Sequence, residues 1–160
     1  MFYGVEIYMY FFLMVGCSSN TNMYENKDSL NFSLVSEKLF YDVKYNFVEV
    51  IVKDKVENYN VFVSKKDMSI DFYNSAVTKR IKDMGWKKVK STYENQDIYC
   101  YDEKNEMAIL YSTKQNYSSK DGKNGFSITK KYLDYWVVYY RFKDDGTNNC
   151  KYLTPTLGQR

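Results

Sequence analysis

No histidine occurs among the 160 residues. Imidazole is the usual general base and the commonest ligand of transition metals, so its absence removes the Ser-His-Asp and Cys-His nucleophile systems and most transition-metal sites. Cysteine is scarce as well, at Cys17, Cys100 and Cys150, with no C-x-x-C redox pair. The seven glycines build no phosphate-cradling loop; Gly122 and Gly125 lie in a turn-like stretch with no strand before them and no helix after. The chain also lacks an apolar run near the roughly 20 residues that span a bilayer. Neither sign of charge dominates: 23 basic against 20 acidic residues give +3. Their alternation describes a solvated surface, and no nucleic-acid partner is expected. The one local excess, Lys79, Arg80, Lys82, Lys87, Lys88 and Lys90, reads as a helix C-terminus followed by an exposed strand face, where cations complement the helix dipole.

Carboxylates could still do acid-base work, and Asp97, Asp102, Glu103 and Glu106 cluster around one hairpin. Such clusters ordinarily solubilise a turn. Ser118 and Ser119 beside Lys120 suggest a Ser-Lys dyad only if the lysine is buried, and this stretch is polar. The sequence therefore points to no catalytic residue, no cofactor and no metal, and the protein is expected not to be an enzyme.

Residues 7–15, Ile-Tyr-Met-Tyr-Phe-Phe-Leu-Met-Val, have the length of a signal-peptide core. They run into Gly16-Cys17 and then Ser18-Ser19-Asn20-Thr21-Asn22. This junction resembles a bacterial lipoprotein signal, in which a small residue precedes a cysteine that is acylated and becomes the new N-terminus. The match covers the first 17 or so residues; Met14 stands where leucine is usual, and residues 1–6 hold Glu6 but no Lys or Arg. A secretory signal without lipid and an apolar first strand are the other two readings. The resemblance implies lipidation at Cys17, removal of residues 1–16 and a flexible tether over 17–29. It also implies a periplasm-facing place in the bacterial cell envelope; Ser18 is permissive for the outer membrane. Loss of Glu6 leaves 23 basic against 19 acidic residues, +4 for the mature chain. Acylation of Cys17 leaves Cys100 and Cys150 as a pair for one disulfide, with two free thiols the alternative.

Residues 30–160 are one domain's worth of chain. Eighteen Tyr and ten Phe favour the half-buried surface of a sheet. Residues 30–43 mix alternation at Leu30, Phe32 and Leu34 with a helical stripe at Val35, Leu39, Phe40 and Val43, and read as a strand. Residues 45–53 and 56–63 form a hairpin about Lys53-Asp54-Lys55. One helix is marked over residues 70–84 by Ile70, Tyr73, Val77, Ile81 and Met84 on a single face, with Ser69 to cap it and Gly85 to stop it. Strands over 86–93, 97–101 and 107–113 make a meander, a polar loop spans 114–125, and a last hairpin pairs 133–142 with 148–153 across Asp144-Asp145-Gly146. The expected fold class is α+β, mainly antiparallel sheet with one amphipathic helix on one face. Both alternating sets of residues 132–142 are apolar, which fits a central strand or a partner-binding face.

The function these features imply is a non-enzymatic binding module held at the membrane through Cys17, with a protein partner. By size and location it is comparable to immunity-type lipoproteins that neutralise a periplasmic toxin; a structural or assembly lipoprotein of an envelope or secretion complex is the alternative. Tyr117, Phe126, Tyr135 and Trp136, near the long loop, are the candidate contacts, because Tyr and Trp dominate binding hot spots.

Overall fold

The computed structural model describes residues 26–151 and Leu153; Cys17 and the signal segment lie outside them. The chain is α+β. A six-stranded antiparallel sheet is formed by β1 (Tyr45–Lys53), β2 (Val56–Ser64), β3 (Lys87–Val89), β4 (Gln96–Cys100), β5 (Asn105–Tyr111) and β8 (Tyr135–Lys143), in the order β1-β2-β8-β5-β4-β3. A separate two-stranded ribbon, β6 (Asn116–Ser118) with β7 (Gly125–Ser127), interrupts what the sequence suggested was loop. Two helices share one face: α1 (Phe32–Phe40), and α2, which runs through Ile70–Phe72, Tyr73–Val77 and Thr78–Asp83. Among the described residues no helix is long and apolar enough to cross a membrane.

The stretch expected to be a strand over 30–43 is α1. Its buried residues Phe32, Val35, Ser36, Leu39 and Phe40 follow helical spacing, while Leu34, which suggested alternation, is exposed. Ser36 hid the stripe because it is polar. In the fold its hydroxyl donates to the Phe32 carbonyl at 2.8 Å and lies 3.3 Å from the Tyr140 hydroxyl, so it is satisfied inside the core. Asn31 caps the helix, its side chain accepting from Leu34 N at 3.0 Å.

The β1–β2 hairpin has the expected bounds, with a register irregularity between Glu49 and Ile51. In α2, Ser69 Oγ accepts from Phe72 N. At the other end Gly85 takes φ +87°, with Gly85 N bonding to Lys82 O and Trp86 N to Ile81 O. That is a Schellman stop, and it turns Trp86 under the helix end.

β8 is a central strand, paired with β2 on one side and β5 on the other. Its Trp136, Val138, Tyr140 and Phe142 are buried toward the helices, while Tyr135, Val137, Tyr139 and Arg141 lie half-buried on the second face. The helix-side core joins these to Phe40, Val61, Val63, Val77, Ile81 and Ile109. Where a final strand over 148–153 was expected, residues 148–151 instead form a turn after β8. Cys150 N bonds to Thr147 O and Lys151 N to Thr147 O, so the backbone coils back on itself and cannot pair as a ladder. That turn carries Cys150 over β4, where it is disulfide-bonded to Cys100 with Cα atoms 5.6 Å apart.

Residues 26–29, expected to end a free tether, belong to the folded domain. The buried Glu57 carboxylate accepts from Asn26 Nδ2 at 2.6 Å and from Ser29 Oγ at 2.7 Å. Fully buried Asn105 accepts from Leu30 N and donates to the Asp28 carbonyl.

Candidate functional site

The second segment of α2, Tyr73–Val77, is a π-turn, in which Thr78 N reaches back five residues to Tyr73 O. The widening has a local cause. Thr78 Oγ1 takes the Asn74 carbonyl that its own amide leaves free, and Ser75 Oγ takes the Asp71 carbonyl at 2.7 Å, so side-chain hydroxyls compete with the helix ladder at adjacent positions. Such turns recur at functional sites. This one forms a wall of a cleft of about 260 Å³. Ile70, Tyr73 and Asn74 come from α2, Gln96 and Asp97 from β4, Ile109 and Tyr111 from β5, and Trp136 from β8. Asn95, with φ +55°, turns the chain into β4 at the rim.

The cleft's floor is aromatic. Trp136 lies with its ring centroid 4.6 Å from Tyr73 and 4.8 Å from Tyr111, and its Nε1 donates to the Met68 carbonyl at 2.8 Å. Lys65 places its ammonium 4.2 Å from the Tyr111 ring centroid and donates to the Leu133 and Ser112 carbonyls.

The cleft's polar wall centres on Asp97. Its Oδ2 accepts from Tyr73 OH at 2.8 Å and lies 3.4 Å from Tyr99 OH, and its Oδ1 pairs with Lys88 Nζ at 2.7 Å. Burial, then the hydrogen bond with Tyr99 and the charge of Asp97, push the Tyr73 hydroxyl above its ordinary pKa, and burial chiefly does the same for Tyr99. Burial works against the charge on Lys88, but the hydrogen bond and charge of Asp97 outweigh it and raise its pKa. Both phenols stay protonated donors and the lysine stays charged across neutral pH. Such a wall holds a fixed pattern of donors and acceptors, as recognition requires.

The sequence-predicted contacts do not form one patch. Tyr117 and Trp136 are buried, at 2% and 3% exposure, because the hydroxyl of Tyr117 accepts from Thr113 N inside the β6–β7 ribbon and Trp136 is core. Phe126 stacks on Tyr117 at 5.0 Å and meets Tyr93 edge-on at 4.9 Å. Tyr135 projects to the opposite face from Trp136 and meets Tyr132. Only Trp136 reaches the cleft.

The four clustered carboxylates separate too: register sets Asp97 on the helix face and Glu106 on the other, where Asn149 Nδ2 donates to it at 2.9 Å. Asp102 instead accepts from Lys104 N and Asn105 N in the tight turn. Ser119 Oγ bonds to Asp121 and accepts from Asn124 N, so that hydroxyl is engaged by the loop itself. Within the basic cluster, Lys79 pairs with Asp83, Arg80 with Asp42 and Lys88 with Asp97. Among the described residues no group of three or more ligating side chains is placed to hold a metal ion.

Sequence reasoning missed Tyr73, Tyr99 and Lys88 as partners of Asp97. The available signal was the crowding of Asn74, Ser75 and Thr78 in mid-helix, residue types that compete for backbone bonds. No family model matches the chain, and no curated protein or solved structure matches it either.

Proposed function

We propose that the protein is a bacterial envelope lipoprotein, tethered through lipid on Cys17, that acts by binding a protein partner and not by catalysis. The observation that carries this reading is the bridge between Cys100 and Cys150. Disulfides persist in oxidising compartments, and pairing these two leaves Cys17, at the lipobox-like junction, as the one cysteine of the sequence outside this bridge. The nine residue steps from Cys17 to Asn26 would let the folded domain stand at most about 30 Å from the membrane surface.

The cleft supports binding over reaction. Asp97 is engaged by Lys88 and two tyrosines, an arrangement suited to presenting polar groups to a partner side chain while Ile70 and Tyr111 supply apolar contact. An immunity-type role, holding a toxin that arrives in the periplasm, needs only this tethered recognition surface.

Fractionation of a Gram-negative host expressing the full chain tests the reading. Wild type is expected in the membrane fraction, extracted only by detergent, and Cys17→Ala outside it. Equal partitioning of the two would overturn the tether. Loss of an isolated partner's binding on replacing Asn74 and Gln96 with alanine would place recognition at the cleft, and unchanged binding would remove it from there.

A further inference from the structure

The second face of the sheet is closed over β4 and β5, where Cys150 and Thr147 are fully buried beside Cys100 and Glu106. It is also covered at Phe62, 7% exposed and stacked on Tyr132 at 4.0 Å, and is open over β1 and over the end of β2 and β8 that holds Asn58, Tyr139 and Arg141. Register sets Val48, Ile51 and Lys53 of β1 on this face, with Asn58 of β2 and Tyr139 and Arg141 of β8. Val48 and Ile51 are 36% and 39% exposed. Arg141 donates through Nε and Nη2 to Tyr139 OH at 3.3 and 3.1 Å, which fixes the guanidinium against the phenol ring. No carboxylate lies within ion-pair distance of Arg141 or Lys53 among the described residues. Asn58 Oδ1 is buried without a hydrogen-bond partner. Of the charged residues that β1, β2 and β8 turn to this side, Lys53, Arg141 and Lys143 are all basic; Lys143 pairs with Asp145 at 2.9 Å, and Glu106 of β5 stands opposite Arg141 in the register, beyond ion-pair distance.

Apolar surface, a Tyr–Arg pair and the positive charges of Arg141 and Lys53, which have no ion-pair partner among the described residues, are the composition of a binding hot spot. From this we infer that the open face of β1, β2 and β8 docks an acidic protein segment, one carboxylate engaging Arg141 while the flanking chain covers Val48 and Ile51. The inference rests on the reading of the protein as a binding module and adds, on the face opposite the cleft, a second contact of stated chemistry. A second copy is the poorer occupant, because it would set Arg141 and Lys53 of both molecules on the same buried face.

The test pans a random dodecapeptide phage library against the mature, disulfide-intact protein, then maps selected synthetic peptides by amide chemical shifts. The expected result is enrichment in Asp and Glu, shifts concentrated at Val48, Ile51, Tyr139 and Arg141, and binding weakened at least about tenfold by Arg141→Glu. Lys53→Glu, at an exposed edge position, should weaken the same peptides and keeps the test valid if the first variant fails to fold. Peptides that are not acidic, or that map to the Tyr73–Asp97 cleft or the Lys82–Lys90 surface, would overturn this inference and leave the binding reading standing. No selected peptide at all would count against both. Shifts at the same amides on deleting residues 18–25 would show that the chain's own segment occupies the face, and would overturn the inference too.

Discussion

Replacing both Cys100 and Cys150 with alanine is the perturbation whose size the structure fixes best. The two cysteines are 50 residues apart and fully buried, and their Cα separation of 5.6 Å is ordinary for a bridge. Closing a loop of that length removes denatured-state entropy worth about 4 kcal/mol in the chain-entropy model. The structure gives no offsetting gain on opening it. The turn from Thr147 to Lys151 otherwise rests on a few backbone bonds and on Asn149 donating to the buried Glu106, a contact that the loosened turn would weaken. Urea unfolding followed by tryptophan fluorescence should therefore show a loss of about 4 kcal/mol, a midpoint lower by about 2 M at a slope of about 2 kcal/mol/M. Trp86 and Trp136 are both buried and report the transition directly. A loss below about 1 kcal/mol would refute the reasoning, since the turn would then hold its place without the bridge and the loop would not be what the disulfide constrains.

Tyr73→Phe removes the hydroxyl shared with Asp97 and Tyr99 and should cost about 1 to 2 kcal/mol by the same assay, while native far-ultraviolet dichroism is kept. Gly125→Ala should cost more than about 1 kcal/mol, because the added Cβ would sit 2.8 Å from the Tyr117 carbonyl and force the β6–β7 ribbon apart; thermal melting reads it. The hydrogen bond from Arg80, with its charge, holds the Asp42 carboxyl below its ordinary 3.8 despite partial burial, so the folded state binds that proton less readily than the unfolded one. This contribution is present above about pH 4 and is lost as the pH falls through the lowered folded value; urea midpoints at pH 3 and pH 7 should differ more in wild type than in Arg80→Met.

Where sequence and structure agree, the reason is periodicity undisturbed by polar exceptions. The β1–β2 hairpin keeps its bounds despite one register irregularity, the stripe Tyr73, Val77 and Ile81 is regular, and Ser69 and Gly85 mark the ends of α2 with the chemistry that a helix start and a Schellman stop require. The apolar alternation on both sides of β8 pointed to its central place in the sheet. Where the reading of α1 failed, one serine was responsible: Ser36 occupies a core position and satisfies itself on the Phe32 carbonyl, which no hydrophobic pattern reveals. The last turn was misread because Asp144-Asp145-Gly146 does form a tight reversal, yet the chain beyond Gly146 is held by a covalent bond to Cys100 instead of a ladder. The Asp97 cluster depends on Lys88, Asp97 and Tyr99 meeting on one face of β3 and β4 and on Tyr73 arriving from α2, a convergence set by register between distant segments. Aromatic richness pointed to a sheet but gave no guide to which rings face a partner, since packing buried Tyr117 and Trp136.

The most direct test of a tethered envelope protein is the mass of the N-terminal peptide of the mature chain, purified from a Gram-negative host beside a Cys17→Ala control. The account predicts a chain that begins at Cys17 and carries a diacylglyceryl adduct on its sulfur, with no such species in the control. An unmodified peptide that still begins at Met1 would contradict it.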